Sequence, residues 1–239
     1  MHFPFKYNYI VAEGAVMFPT STVGRKIMMA LTGQFMIIYV LAHVLGNSTI
    51  YSGAINSYAE GLRHWPFVLV LWSSRFLLFL SLALHSFYGV VIKLENRRAK
   101  PGSYSVTNYQ SATFAGRTMI WTGIVIGSYL IYHLLHFTYQ VIDPSVAATA
   151  HPDVLGRPDV LMMVVRSFQN PGIVIIYLVG VTSLLLHLMH GIQSSFQTWG
   201  MNNDRTLPLI VKAGLAAATV LFIGYAAIPI TIIFGILKG

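Results

Sequence analysis

Four histidines, His43, His85, His133 and His187, each stand inside a separate long apolar stretch of the sequence. An imidazole in hydrocarbon is costly unless protein surrounds it and bonds it, so each ring has to be held by something. Neutral imidazole is the commonest metal ligand. Four rings on four helices can supply two bis-histidine sites for two flat iron porphyrins. The chemistry to expect is electron transfer by a membrane cytochrome. The chain has no cysteine, so neither a covalently attached c-type haem nor an iron–sulfur cluster can be built from it, and the haem would be haem b.

The elements that must position these rings follow from composition. Apolar residues make up 55% of 239 positions and charged residues only 9%, with a mean hydropathy of +0.65. A soluble domain carries about 25% charged residues, so this is a bilayer protein. Segments 27–50, 67–94, 119–141, 172–197 and 210–236 are each long enough to cross a hydrocarbon core of roughly 30 Å. The sequence therefore predicts an all-α, five-span bundle in one domain, 1–239. The first segment is too long and too late in the chain for a cleaved signal. There is no repeat of fixed period and no low-complexity tract.

Basic residues set the orientation. One side collects Lys6, Arg25, Lys26, Lys93, Arg97, Arg98, Lys100, Arg117, Arg205 and Lys212, and the other only Arg63, Arg157, Arg166 and Lys238. The N-terminus is expected in the cytoplasm and the C-terminus outside. This asymmetry accounts for most of the net charge of +8 and removes the case for a nucleic-acid partner. Two outer loops stand out. Residues 47–66 mix Tyr58, Glu60, Arg63, His64 and Trp65, as either a quinone mouth or an aromatic belt. In the other, Pro158 and Asp159 open a predicted interfacial helix over 158–168.

Depth turns the histidines into a constellation. At 1.5 Å per residue, His43 and His133 each lie roughly 24 Å from the inner ends of their spans, toward the outside. His187 and His85 lie roughly 24 to 29 Å from the outer ends of theirs, toward the cytoplasm. The levels are separated by roughly 12 to 18 Å, so His43 should pair with His133 and His85 with His187. A single intramembrane histidine is commonly just an interhelical hydrogen bond, but four at paired depths are not explained that way. His136 and His190 share helix faces with His133 and His187. Depth favours His133 over His136 and does not decide between His187 and His190.

The residues also carry a resemblance. The similar stretches are Ser21-Thr22-Val23-Gly24-Arg25-Lys26, Met29-Ala30-Leu31-Thr32-Gly33, Leu41-Ala42-His43-Val44-Leu45-Gly46-Asn47, Leu84-His85-Ser86-Phe87-Tyr88-Gly89, Ser111 to Met119, Tyr132-His133-Leu134-Leu135-His136-Phe137, and His187-Leu188-Met189-His190-Gly191 onward to Gly200. Together they resemble the cytochrome b subunit of type B succinate:quinone oxidoreductases, the succinate dehydrogenases and fumarate reductases with a single five-helix anchor and two b haems. The resemblance implies axial ligands at His43, His85, His133 and His187, and selects His187 over His190. It implies docking of a flavoprotein and an iron–sulfur subunit on the cytoplasmic face of a bacterial inner membrane, and exchange of electrons with quinone, most often menaquinone. Leu185 stands where a related diheme fumarate reductase has a glutamate implicated in proton transfer, so that route is in doubt. No acid–base or nucleophile constellation for dicarboxylate chemistry is visible in the chain, which would be an enzyme subunit without the dicarboxylate site.

Secondary sites follow. Arg75 lies within span two near the level of the outer haem and is expected either to pair with a carboxylate, a haem propionate first, or to snorkel to the outer interface. Lys93, Arg25 and Arg117, at the inner ends of spans, are candidates for inner propionates or are plain flanking charge. Ser21 and Arg25 are candidates for an inner quinone site, and Glu60 and His64 for an outer one. Two alternatives remain: the b-type anchor of another respiratory oxidoreductase, or a histidine-lined metal transporter, against which stands the lack of mid-span carboxylates.

Overall fold

The structure, a computed structural model, describes residues 21–99 and 113–238; Lys6, Lys100 and Ser111 lie outside them. Its order is α1 (Thr22–Ser48), α2 (Ile55–Gly61), α3 (Phe67–Arg98), α4 (Phe114–His133), α5 (Val160–Phe168), α6 (Pro171–Thr198) and α7 (Leu207–Ile233). Five of these, α1, α3, α4, α6 and α7, are long and apolar enough to cross a membrane, the first and third extended by a 3-10 turn to Ser52 and a π segment to Thr138. The chain is thus an all-helical, multi-pass membrane bundle.

Helix ends depart from the hydropathy boundaries because polar caps set them. Ser21 accepts from the Gly24 amide at 2.9 Å and starts α1 five residues before the expected apolar run. Thr113 does the same for Gly116 at 3.1 Å, and Asn170 with Pro171 at the first position opens α6. Each satisfies an amide that the first helical turn leaves unpaired. α3 runs to Arg98, its last turn carrying Arg97 and Arg98 beside the negative end of the helix dipole. α5 falls within the helix expected over 158–168 and is capped by Asp159, which accepts from the Met162 amide at 2.9 Å. α2 was not expected; it lies within the 47–66 loop.

Packing defines a square with a fifth helix outside it. α6 packs on α1, α4, α5 and α7; α3 packs chiefly on α1. The diagonals, α1 with α4 and α3 with α6, are not close packing neighbours. Small residues allow the close approaches, as expected where lipid gives no hydrophobic drive between helices. A Cβ at Gly180 of α6 would overlap the Tyr129 ring of α4, and one at Gly224 of α7 would come within 2.8 Å of Val44 of α1. One buried cluster, including Ile50, Phe168, Tyr177 and Ile232, joins α5, α6 and α7 at the far side, opposite the start of α1.

Candidate functional site

The two diagonals carry the histidines. His43 of α1 and His133 of α4 face each other with ring centres 6.0 Å apart and planes at 87°. His85 of α3 and His187 of α6 do the same at 6.2 Å and 57°. Each pair thus bridges two helices that do not otherwise pack together. Gly33 of α1 lies against His85, 3.3 Å from a Cβ to Cε1, and Gly123 of α4 against His187 at 3.7 Å. Each glycine precedes its own helix's histidine by ten residues, so the two levels are ~15 Å apart.

Hydrogen bonds fix which nitrogen each inner ring presents. His85 Nδ1 lies 3.2 Å from the Met29 carbonyl, which only accepts, so Nδ1 carries the proton. It also lies 3.3 Å from Thr32 Oγ1, whose own hydrogen goes to the Met28 carbonyl at 2.7 Å. His187 Nδ1 lies 3.1 Å from Thr122 Oγ1, and with the Thr122 hydrogen directed to the Met119 carbonyl, also at 3.1 Å, the ring nitrogen is the donor. In neutral rings both Nε2 atoms are therefore bare lone pairs, the form that binds metal, and both protonated nitrogens have the outer partner that metal-bound histidines keep. Both threonines are buried. Sequence reasoning gave them no role, although a signal was present: Thr-Gly-x9-His occurs in α1 as Thr32-Gly33 to His43 and in α4 as Thr122-Gly123 to His133.

The far-side pair is built of aromatics. Tyr39 stacks on His43 at 5.6 Å and Tyr225 lies at 6.1 Å, its hydroxyl donating to the Val40 carbonyl at 2.6 Å. His43 Nε2 accepts from the Asn47 amide at a long 3.3 Å. His133 Nδ1 lies 3.4 Å from the Tyr177 hydroxyl, which also reaches His136 Nδ1 at 2.9 Å. His136 is buried in a π segment, with Nε2 lacking a partner among the described residues, as does the buried Gln140 Oε1. Gln140 adopts φ 56°, in the left-handed region. His190 is kept apart from the inner pair, lying instead against Gly116 at the start of α4.

An iron held by two imidazoles needs about 2 Å to each nitrogen, which leaves the ring centres about 6 Å apart. Both pairs have that spacing, and the inner donor set has the right lone pairs, so these residues fit haem. Among the described residues no three His, Asp or Glu side chains converge on a common metal position. Two ligands per site suit an iron whose other positions a porphyrin fills.

The remaining candidates are scattered. Arg25 forms an ion pair with Glu95 that ties α1 to α3, a partner missed because it lies 70 positions away. Ser21 spends its hydroxyl oxygen on the α1 cap. Lys93 and Arg117 are exposed at the basic side. Arg75 is exposed on α3, its guanidinium over the Trp72 ring at 5.0 Å, and among the described residues no carboxylate pairs with it. His64 and Glu60 bond each other at 2.8 Å, one turn apart at the far side.

Fold and site together define a five-span helical membrane bundle with two intramembrane histidine pairs. The chain is similar to the succinate dehydrogenase cytochrome b558 subunit of Bacillus subtilis (strain 168), 25% identical over 199 residues that cover 82% of this chain and 88% of that protein. No family model matches the chain, and no solved structure matches it.

Proposed function

We propose that the chain is the diheme cytochrome b subunit of a succinate:quinone oxidoreductase, anchoring a flavoprotein and an iron–sulfur subunit and exchanging their electrons with membrane quinone, menaquinone in the first instance. The observation that carries the reading is the pair of histidine diagonals at 6.0 and 6.2 Å. His43 and His133 would hold one haem b and His85 and His187 the other. Bound there, each supplies a reversible one-electron iron couple. The relative's printed name supports both the cytochrome and the succinate dehydrogenase parts of the reading.

The chain's own groups do the holding and orienting. Thr32, Thr122 and the Met29 carbonyl aim the inner imidazoles. Asn47 would give up His43 Nε2 to a bound haem, a small loss given its 3.3 Å contact. Arg75, a cation within a span, is assigned to a propionate of the outer haem, and Arg117 and Lys93 to the inner propionates. The basic side is assigned to the cytoplasm and to the hydrophilic partners, with the C-terminus outside. The quinone is assigned to the inner side near Ser21 and Arg25, with Glu60 and His64 as the outer alternative.

Purification of the chain with whatever accompanies it tests the whole reading. The expected result is two b haems per chain, copurifying flavoprotein and iron–sulfur subunits, and haem reduction by succinate or oxidation by fumarate. A chain purified without b-haem absorbance, or with partners of another respiratory enzyme, overturns it.

A further inference from the structure

Tyr177 joins two histidines with a single hydroxyl, at 3.4 Å from His133 Nδ1 and 2.9 Å from His136 Nδ1. The hydroxyl has one hydrogen, so it donates to one ring and accepts from the other. If His133 gives Nε2 to iron, as the haem reading requires, its only proton sits on Nδ1. Tyr177 Oη must then accept from His133, and its own hydrogen must go to His136 Nδ1. His136 in turn keeps its proton on Nε2, the atom that is buried without a partner among the described residues.

That orphaned nitrogen argues against a packing role for His136. Leaving such a group buried and unpaired carries a desolvation cost that leucine would avoid in the same aromatic surroundings. The local backbone is also bent away from the α-helix: Tyr139 donates to the Leu134 carbonyl, five residues back, at 2.8 Å. π segments of this kind occur often at functional sites. Here the segment begins directly after His133, and His136 within it meets the same hydroxyl.

We propose, resting on the haem reading, that Tyr177 and His136 form a two-residue relay behind His133 that sets the electron-donating strength of this one axial ligand. An acceptor on the far nitrogen of a metal-bound imidazole raises its basicity and favours the more positive metal state. Tyr177 is the acceptor, and His136 strengthens it by drawing on its hydroxyl hydrogen. Both are positioning residues.

The test is redox titration of both haems in the purified complex, with low-temperature paramagnetic resonance to identify each. Tyr177→Phe keeps the ring and removes the acceptor, so the potential of the His43/His133 haem should rise while the other stays put. His136→Leu should shift the same haem in the same direction by less. His136→Gln, which keeps an acceptor for the hydroxyl, should hold the parental value. Should Tyr177→Phe fail to assemble, the contrast between the leucine and glutamine variants decides alone. Two intact low-spin signals without a shift in any of these variants, or equal shifts of both haems, overturn the relay and leave the haem reading standing. A parental complex without two such signals overturns both.

Discussion

Among the described residues, each inner imidazole has one nitrogen engaged and one free, and the engaged one distinguishes the two rings. His85 Nδ1 has two acceptors, the Met29 carbonyl and Thr32 Oγ1, whereas Thr122 Oγ1 is the acceptor recorded for His187. Thr122→Val should therefore leave a buried N–H unpaired, at about 1–3 kcal/mol, and weaken haem retention at this level by about 10–100-fold. Thr32→Val should do less, because the carbonyl remains. Transfer of haem to an excess of a scavenging apoprotein measures both; retention unchanged by Thr122→Val would show that its hydroxyl does not orient the ring. Gly33→Ala should also disturb His85, since the new methyl would stand 3.3 Å from Cε1.

Among the elements, the far-side loops are held by charge and caps. Asp153 accepts from the Arg157 side chain at 2.7 and 2.9 Å and from the Leu155 and Arg157 amides at 2.9 Å, and Asn56 ties it to α2. The Arg157 hydrogen bonds hold the Asp153 carboxyl down to about 2, below its ordinary 3.8. A carboxyl lowered on folding stabilises the loop fully above its unfolded value and loses that contribution as pH falls through the folded one. Hydrogen-exchange protection of the Leu155 and Arg157 amides, corrected for intrinsic rate, should drop between about pH 4 and 2. Unchanged protection at pH 2 would contradict this, and Asp153→Asn should abolish the pH dependence. The five long apolar helices and the short helix α5 were legible because long apolar runs and a Pro-Asp start are local signals. The starts of α1 and α4 were not, since hydropathy is blind to the caps at Ser21 and Thr113. α2 was missed because its Ile55–Gly61 stretch is short and lacks an apolar period. The opposed histidines were readable from depth alone. Thr32 and Thr122 could have been found from the repeated Thr-Gly-x9-His spacing, but Tyr177, an aromatic in an apolar span, carries no local mark of its partners.

For the molecule as a whole, charge and histidine depth make separate claims. The charge asymmetry predicts the orientation proposed above, and a chain free of cysteine permits a clean test. With a membrane-impermeant thiol reagent on intact cells, Val154→Cys, at a fully exposed far-side position, should label, and Asn96→Cys, at the end of α3, should not. The reverse pattern would invert the topology. The central claim is that two helix diagonals each hold one iron. It is tested most directly by paramagnetic resonance on the purified complex after single histidine-to-alanine substitutions. His43→Ala and His133→Ala should remove the same low-spin signal, His85→Ala and His187→Ala the other, and His136→Ala or His190→Ala neither. If His43→Ala and His85→Ala abolish one and the same signal, the diagonals do not define the sites.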